Sequence, residues 1–121
     1  MTLILVVDDS PTEVFVIRRA LEQHGYQTAA AADGAEGFRM AKTLKPDLIF
    51  MDIVMPGVNG FQATRQLARD PETKDIPVVM VTSKGQDTDR IWGMRQGAVD
   101  YLIKPVTPQK LVEKAQAVLA H

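Results

Sequence analysis

The chain is 121 residues long, one domain by size, and its 45% apolar and 24% charged residues are ordinary globular composition that excludes disorder. Cysteine is absent, which removes disulfides, thiolate metal sites and cysteine nucleophiles together. Fourteen basic against fifteen acidic residues leave a net charge of −1, without the positive footprint of a nucleic-acid binder.

Short apolar runs alternate with segments of helical period. Leu3–Val7 is the first run, and it leads straight into Asp8-Asp9. Ser10-Pro11-Thr12-Glu13 then reads as a capping box, with serine at the N-cap, proline at the first helical position and glutamate reaching back. Val14, Ile17, Ala20 and Leu21 form the inward stripe of that helix, which His24-Gly25 ends. A weaker strand is expected at Thr28–Ala32. Asp33-Gly34-Ala35-Glu36 repeats the box, with Phe38, Ala41 and Leu44 inward before Pro46. Leu48–Met51 forms the third run and Asp52 follows it. The eight residues from Ile53 to Gly60 read as a loop rich in turn formers, longer than packing alone requires. A helix over Phe61–Arg69, a strand at Val78–Val81, a helix over Gln86–Gly97 on an Ile91–Met94–Ala98 stripe and a strand at Tyr101–Ile103 come next. Thr107-Pro108 opens the last helix, with Leu111, Ala115, Val118 and Leu119 inward. Met40, Met51 and Met80 read as core fillers, and Trp92, one step off its stripe, as half exposed.

Three of the runs are almost wholly apolar, as strands buried on both faces must be, and five strand–helix units imply a parallel sheet covered by helices on both sides. In such sheets ligands bind at the carboxyl ends of the strands. Asp8, Asp9, Asp52, Thr82-Ser83 and Lys104 all fall there. Each has an ordinary reading alone, as a turn residue, a cap or a surface lysine. Together they put three carboxylates, a hydroxyl pair and an amine on one sheet edge. Two carboxylates ~4 Å apart repel by about 4 kcal/mol at an effective dielectric of 20, so three need a proton or a cation. Hard oxygen donors without histidine or cysteine select Mg²⁺ or Mn²⁺ over zinc. A carboxylate in such a cluster can be the nucleophile in phosphoryl transfer, with Lys104 and the Thr82 hydroxyl on the phosphoryl oxygens.

These residues resemble the receiver domain of two-component response regulators. The pattern is Asp8-Asp9, Asp52, Thr82, Tyr101 and Lys104-Pro105, with Met55-Pro56-Gly57 and Asn59-Gly60 in the loop, and it covers essentially all of residues 1–121 as one receiver domain. Asp9-Ser10-Pro11-Thr12-Glu13, Asp52–Gly57, Asn59–Leu67 and the stretch from Trp92-Gly93 to Pro105-Val106 look like the PilH-like single-domain regulators of type IV pilus twitching motility. The resemblance implies an α/β flavodoxin-like fold with a five-stranded parallel sheet of order 2-1-3-4-5. It makes Asp52 the phosphoacceptor. Asp9, Asp8, Asp52 and the Val54 backbone carbonyl become Mg²⁺ (or Mn²⁺) ligands, and Lys104 the partner of the phosphoryl group, with a cis bond to Pro105. Thr82 and Tyr101 become the switch, which changes the surface of the fourth helix, fifth strand and fifth helix, including Arg90, Met94 and Arg95. Val54 and Lys84 would tune the lifetime of the phosphate.

The implied partners are an upstream histidine kinase and a downstream protein effector, with neither nucleic acid nor membrane insertion. The protein is expected to catalyse only its own phosphorylation and dephosphorylation. Other phosphorelay roles, chemotaxis or a phosphate sink, stay open at the level of sequence. An aspartyl-phosphate phosphohydrolase is the class alternative, although that family separates its two aspartates by one residue. A flavodoxin-like electron carrier is another, although its first loop would need small hydroxyl residues where acids stand here. No apolar run approaches the ~20 residues that span a bilayer. Met1-Thr2-Leu3 lacks the basic region of a signal peptide, so a cytoplasmic protein is expected.

Overall fold

The computed structural model describes residues 1–83 and 87–120. In chain order the elements are β1 (Leu3–Val7), α1 (Pro11–Glu22), β2 (Gln27–Ala31), α2 (Gly34–Leu44), β3 (Leu48–Asp52), α3 (Gly60–Arg69), β4 (Val78–Thr82), α4 (Asp87–Gln96), β5 (Asp100–Ile103) and α5 (Pro108–Leu119). The strands form one parallel sheet of order β2-β1-β3-β4-β5, as expected. Lys84 and Gln86, named in the sequence expectations, lie outside the described residues.

The continuous apolar runs arise because each central strand feeds two cores. Leu5, Val7, Ile49, Met51, Val78 and Met80 point to one face, where Ala41 of α2 and Ala63 and Leu67 of α3 cover them. Ile4, Val6, Leu48, Phe50, Val79 and Val81 point to the other, against Ile17 and Leu21 of α1 and Leu111 and Ala115 of α5. A side-chain period of two with helices on both sides leaves no solvated face to make polar. Each fully buried Leu, Ile or Phe in these layers contributes about 1.5–3 kcal/mol.

Several local expectations change. Ser10 and Asp33 do cap α1 and α2, accepting from the amides of Glu13 at 3.3 Å and Glu36 at 2.8 Å, but neither glutamate closes the box by reaching back. The reciprocal box stands at α3 instead, where Asn59 Oδ1 accepts from the Gln62 amide at 2.9 Å and Gln62 Oε1 accepts from the Asn59 amide at 3.0 Å. Leu44 is exposed, because the buried stripe of α2 runs through Gly34, Gly37 and Ala41 and leaves Leu44 at its edge. Ile91 and Met94 are exposed as well. Among the described side-chain positions of α4 the inward one is Gly93, where an added Cβ would sit 3.4 Å from Met80 Cγ and 3.5 Å from Phe61 Cε1. A core-facing glycine carries no apolar signal, so the pattern points to the wrong stripe. Trp92 is half exposed, Met51 and Met80 are buried, and Met40 packs at the core margin.

Candidate functional site

Four neighbouring strands, β1, β3, β4 and β5, end in line, and the polar residues sit just past the apolar runs. Asp8 follows β1, Asp52 closes β3, Thr82 closes β4 and Lys104 follows β5. Backbone bonds lock them in depth: the Asp8 amide donates to Ala31 O at 3.1 Å and the Lys104 amide to Thr82 O at 2.7 Å. Asp8 and Asp52 are buried, and Asp9 is exposed. One carboxylate oxygen from each of the three aspartates lies within 4.8 Å of the others. The Lys104 ammonium enters from the far side, donating to Asp8 Oδ2 at 3.0 Å and Asp52 Oδ1 at 3.2 Å. The Lys104–Pro105 bond is cis.

A fourth carboxylate joins them. Glu13 is directly bonded to Lys104 Nζ, which explains why it does not close the capping box. By sequence Glu13 belongs to the helix cap alone. Its position held the signal: a side chain at the third helical residue leans toward the helix N-terminus, and α1 starts two residues after Asp9. Asp8 also accepts from the Ser10 amide at 2.9 Å through Oδ1. Three carboxylates, Asp8, Asp52 and Glu13, thus converge on one ammonium, with Asp9 beside them.

The electrostatic cost is legible. Burial, reinforced by the Asp8 charge, pushes the Asp52 carboxyl up to about 6 from its ordinary 3.8, against the opposing pull of Lys104. Burial pulls the Lys104 ammonium down, but bonds to Glu13 and Asp8 outweigh it and hold the amine charged well above its usual range. The site is therefore short of positive charge. Its donors are all carboxylate oxygens, which fits a small hard cation and not zinc.

The loop after Asp52 turns on two glycines. Gly57 adopts φ +74°, and the Gly60 amide donates back to Ile53 O at 2.8 Å. A Cβ on Gly60 would meet Asp52 O at 2.1 Å, so α3 can start against the back of Asp52 only because that residue has no side chain. Met55 is buried and anchors the loop, whereas the Val54 side chain is 58% exposed beside the cleft. Thr82 is buried, and together with Met80, Gly93, Met94 and Tyr101 it lines a gap of about 10 Å³ between β4, α4 and β5. Tyr101 is half-buried there. The Arg90 guanidinium donates to its hydroxyl at 3.2 Å and lies 5.1 Å from the ring centroid. Arg90 and Met94 thus cluster with Tyr101, while Arg95 lines a different cleft, between α4 and α3.

This sheet, with three acids and a lysine at the ends of its strands, defines a phosphorelay receiver fold, and the chain belongs to the response regulator receiver domain family, whose model matches residues 4–116. It is 56% identical over 120 residues to protein PilH of Pseudomonas aeruginosa, covering 99% of each chain. Among solved structures it superposes on the chemotaxis protein CheY4 of Vibrio cholerae with a TM-score of 0.93 at 30% identity, over 98% of each chain. The receiver domain of the sensor histidine kinase PA1611 from P. aeruginosa matches with a TM-score of 0.92 at 30% identity, over 99% of this chain and 98% of that one. That structure has a magnesium ion coordinated in its active-site cleft. The chain spans about half the length of other curated relatives, DNA-binding and transcriptional regulators among them. No helix among the described residues is long and apolar enough to cross a membrane.

Proposed function

We propose that residues 1–121 form a single-domain, phosphorylated switch, with Asp52 the phosphoacceptor and a histidine kinase the donor. The observation that carries this is the buried Asp52 carboxylate, held 3.2 Å from the Lys104 ammonium and within 4.8 Å of two further aspartates. In the transfer an Asp52 oxygen attacks the phosphorus of a phosphohistidine. The new P–O bond forms an acyl phosphate, the P–N bond breaks, and its electron pair stays on the imidazole nitrogen.

Asp8, Asp9, Asp52 and the Val54 carbonyl would hold Mg²⁺, with Mn²⁺ an alternative. The ion supplies charge neutralisation for the carboxylates and the incoming phosphoryl oxygens. Lys104 leaves its carboxylate partners and pairs with a phosphoryl oxygen. The Thr82 hydroxyl moves toward another, and Tyr101, which lines the same gap, turns into the space Thr82 vacates. The phosphoryl charge acts by population shift, favouring the arrangement in which Thr82 and Lys104 contact it. The readout is the α4-β5-α5 surface at Arg90, Met94 and Tyr101, with Arg95 on its far margin, and a protein effector binds there. The domain turns over no separate substrate and works in the cytoplasm without binding nucleic acid.

The identity with PilH across the whole chain supports a role in type IV pilus twitching motility. Beryllofluoride with Mg²⁺, which mimics the phosphoryl group, tests the switch. Amide resonances of Tyr101, Arg90 and Met94 are expected to shift in the native chain and stay still in Asp52→Asn. Shifts confined to the strand ends would contradict the switch. Normal surface motility of a host strain carrying only Asp52→Asn would contradict the pilus role.

A further inference from the structure

The C-terminal halves of α3 and α4 enclose a cleft of about 400 Å³ on the flank of the molecule. Its floor is made of small residues: Gly97 adopts φ +115°, and a Cβ there would sit 2.8 Å from Ala68 Cβ, so the end of α4 closes directly onto α3. Its walls carry Arg65 and Arg69, one turn apart on α3, and Trp92 and Arg95, nearly one turn apart on α4. Trp92, the one tryptophan of the chain, is half exposed.

Among the described side chains the charge here is uncompensated. None of the three arginines pairs with a carboxylate among the described side chains, and α3 contains no acid. The acids that bracket the cleft are engaged elsewhere, Asp70 with Lys42 at 3.2 Å and Asp100 with Lys114 at 2.6 Å. Asp87 and Asp89 lie in the first turn of α4, at the opposite end of that helix. Basic residues at helix C-termini ordinarily complement the macrodipole. Two helix ends supply only about −0.5 charge each, however, which leaves about two positive charges in excess. In a chain of net charge −1, that excess marks a surface suited to an anionic partner.

We propose that the α3–α4 cleft is a docking groove for an acidic helix of a partner protein, separate from the α4-β5-α5 surface. Two carboxylates one turn apart on the partner match Arg65 and Arg69, with Arg95 closing the far side. An apolar residue between the carboxylates packs on Trp92. Tryptophan and arginine are the residue types that dominate binding energy at protein interfaces, and a groove between two helices accepts a third by ridge packing. The groove involves neither Asp52 nor the metal, so the proposal stands or falls apart from the phosphorylation reading.

The test uses the full chain without Mg²⁺ or a phosphate donor. The probe is a synthetic alanine-based helix bearing two glutamates four residues apart and a leucine between them. Binding is followed by Trp92 fluorescence and by amide shifts. Saturable binding is expected, with shifts confined to α3 and α4. Arg65→Glu/Arg69→Glu should weaken it at least about tenfold, while the charge-matched Arg19→Glu/Lys110→Glu, on α1 and α5, should change it less than about twofold. Arg65→Gln/Arg69→Gln, a milder change at the helix ends, should weaken it in the same direction. Absence of binding, equal binding of a peptide with lysines for the glutamates, or equal loss in the charge-matched control would overturn the proposal. A Trp92 response to ATP but not to the peptide would overturn it in favour of a nucleotide.

Discussion

Replacing Asp52 by Asn should make the metal-free protein more stable, and only above a defined pH. Burial is the larger cause of the raised Asp52 carboxyl and the Asp8 charge the second. At a separation near 4.8 Å and an effective dielectric of 20, one carboxylate pair repels by about 3.5 kcal/mol. Lys104, at 3.2 Å, offsets part of this. The net outcome is a carboxyl raised to about 6 from 3.8. That rise amounts to about 3 kcal/mol, which solvent screening at the open side of the cleft reduces to about 1–2 kcal/mol. The folded-state value lies above the unfolded one. The associated stability is therefore fully present below about pH 4 and is lost as pH rises through about 6. Urea unfolding in EDTA is the assay, with native protein and Asp52→Asn compared from pH 4 to pH 8. The two should coincide near pH 4 and separate by about 1–2 kcal/mol by pH 8, with the variant more stable. Mg²⁺ at ten times its Kd should add about 1.4 kcal/mol to the native protein and much less to the variant. A gap that ignores pH, or a variant less stable than native protein in EDTA at pH 8, would refute the electrostatic reasoning.

Glu13→Gln should raise beryllofluoride affinity by about threefold or more, because the Glu13 carboxylate competes with the phosphoryl group for Lys104; fluorine resonance titration would show it, and weaker binding would make Glu13 a support instead of a competitor. Val54→Asn should shorten the acyl-phosphate half-life several-fold, since the exposed valine beside the cleft offers nothing to orient an attacking water and an amide does. A half-life unchanged or longer in a phosphate-release assay removes that role for Val54. Gly60→Ala should cost about 3 kcal/mol in urea unfolding, because its Cβ lands 2.1 Å from Asp52 O.

The parallel sheet was readable from sequence because β1, β3 and β4 are apolar on both faces, a pattern few other architectures require, while its strand order came only from the family resemblance. The site was readable for the same topological reason. Parallel strands end on one edge, so Asp8, Asp52, Thr82 and Lys104 had to meet there. What escaped was carried by residues whose role lies in what they lack or in where a long side chain swings. Gly93 faces the core without an apolar signal, which shifted the apparent stripe of α4 onto Ile91 and Met94. Glu13 fits a capping box by sequence, but a charged amine within reach outcompetes a backbone amide for its carboxylate. Arg95, which the family resemblance puts on the Tyr101 surface, also lines the cleft between α4 and α3. The Asn59–Gln62 box went unread beside the turn residues that precede it.

The most direct test of the central claim is phosphoryl transfer from acetyl phosphate to the full chain, counted by intact-protein mass spectrometry, with the site then mapped in peptides after borohydride reduces the acyl phosphate to homoserine. The account predicts one phosphoryl group per chain, formed only with Mg²⁺ or Mn²⁺ present, mapped to Asp52 and absent from Asp52→Asn. Label that persists in Asp52→Asn, or that forms equally in EDTA, would contradict it.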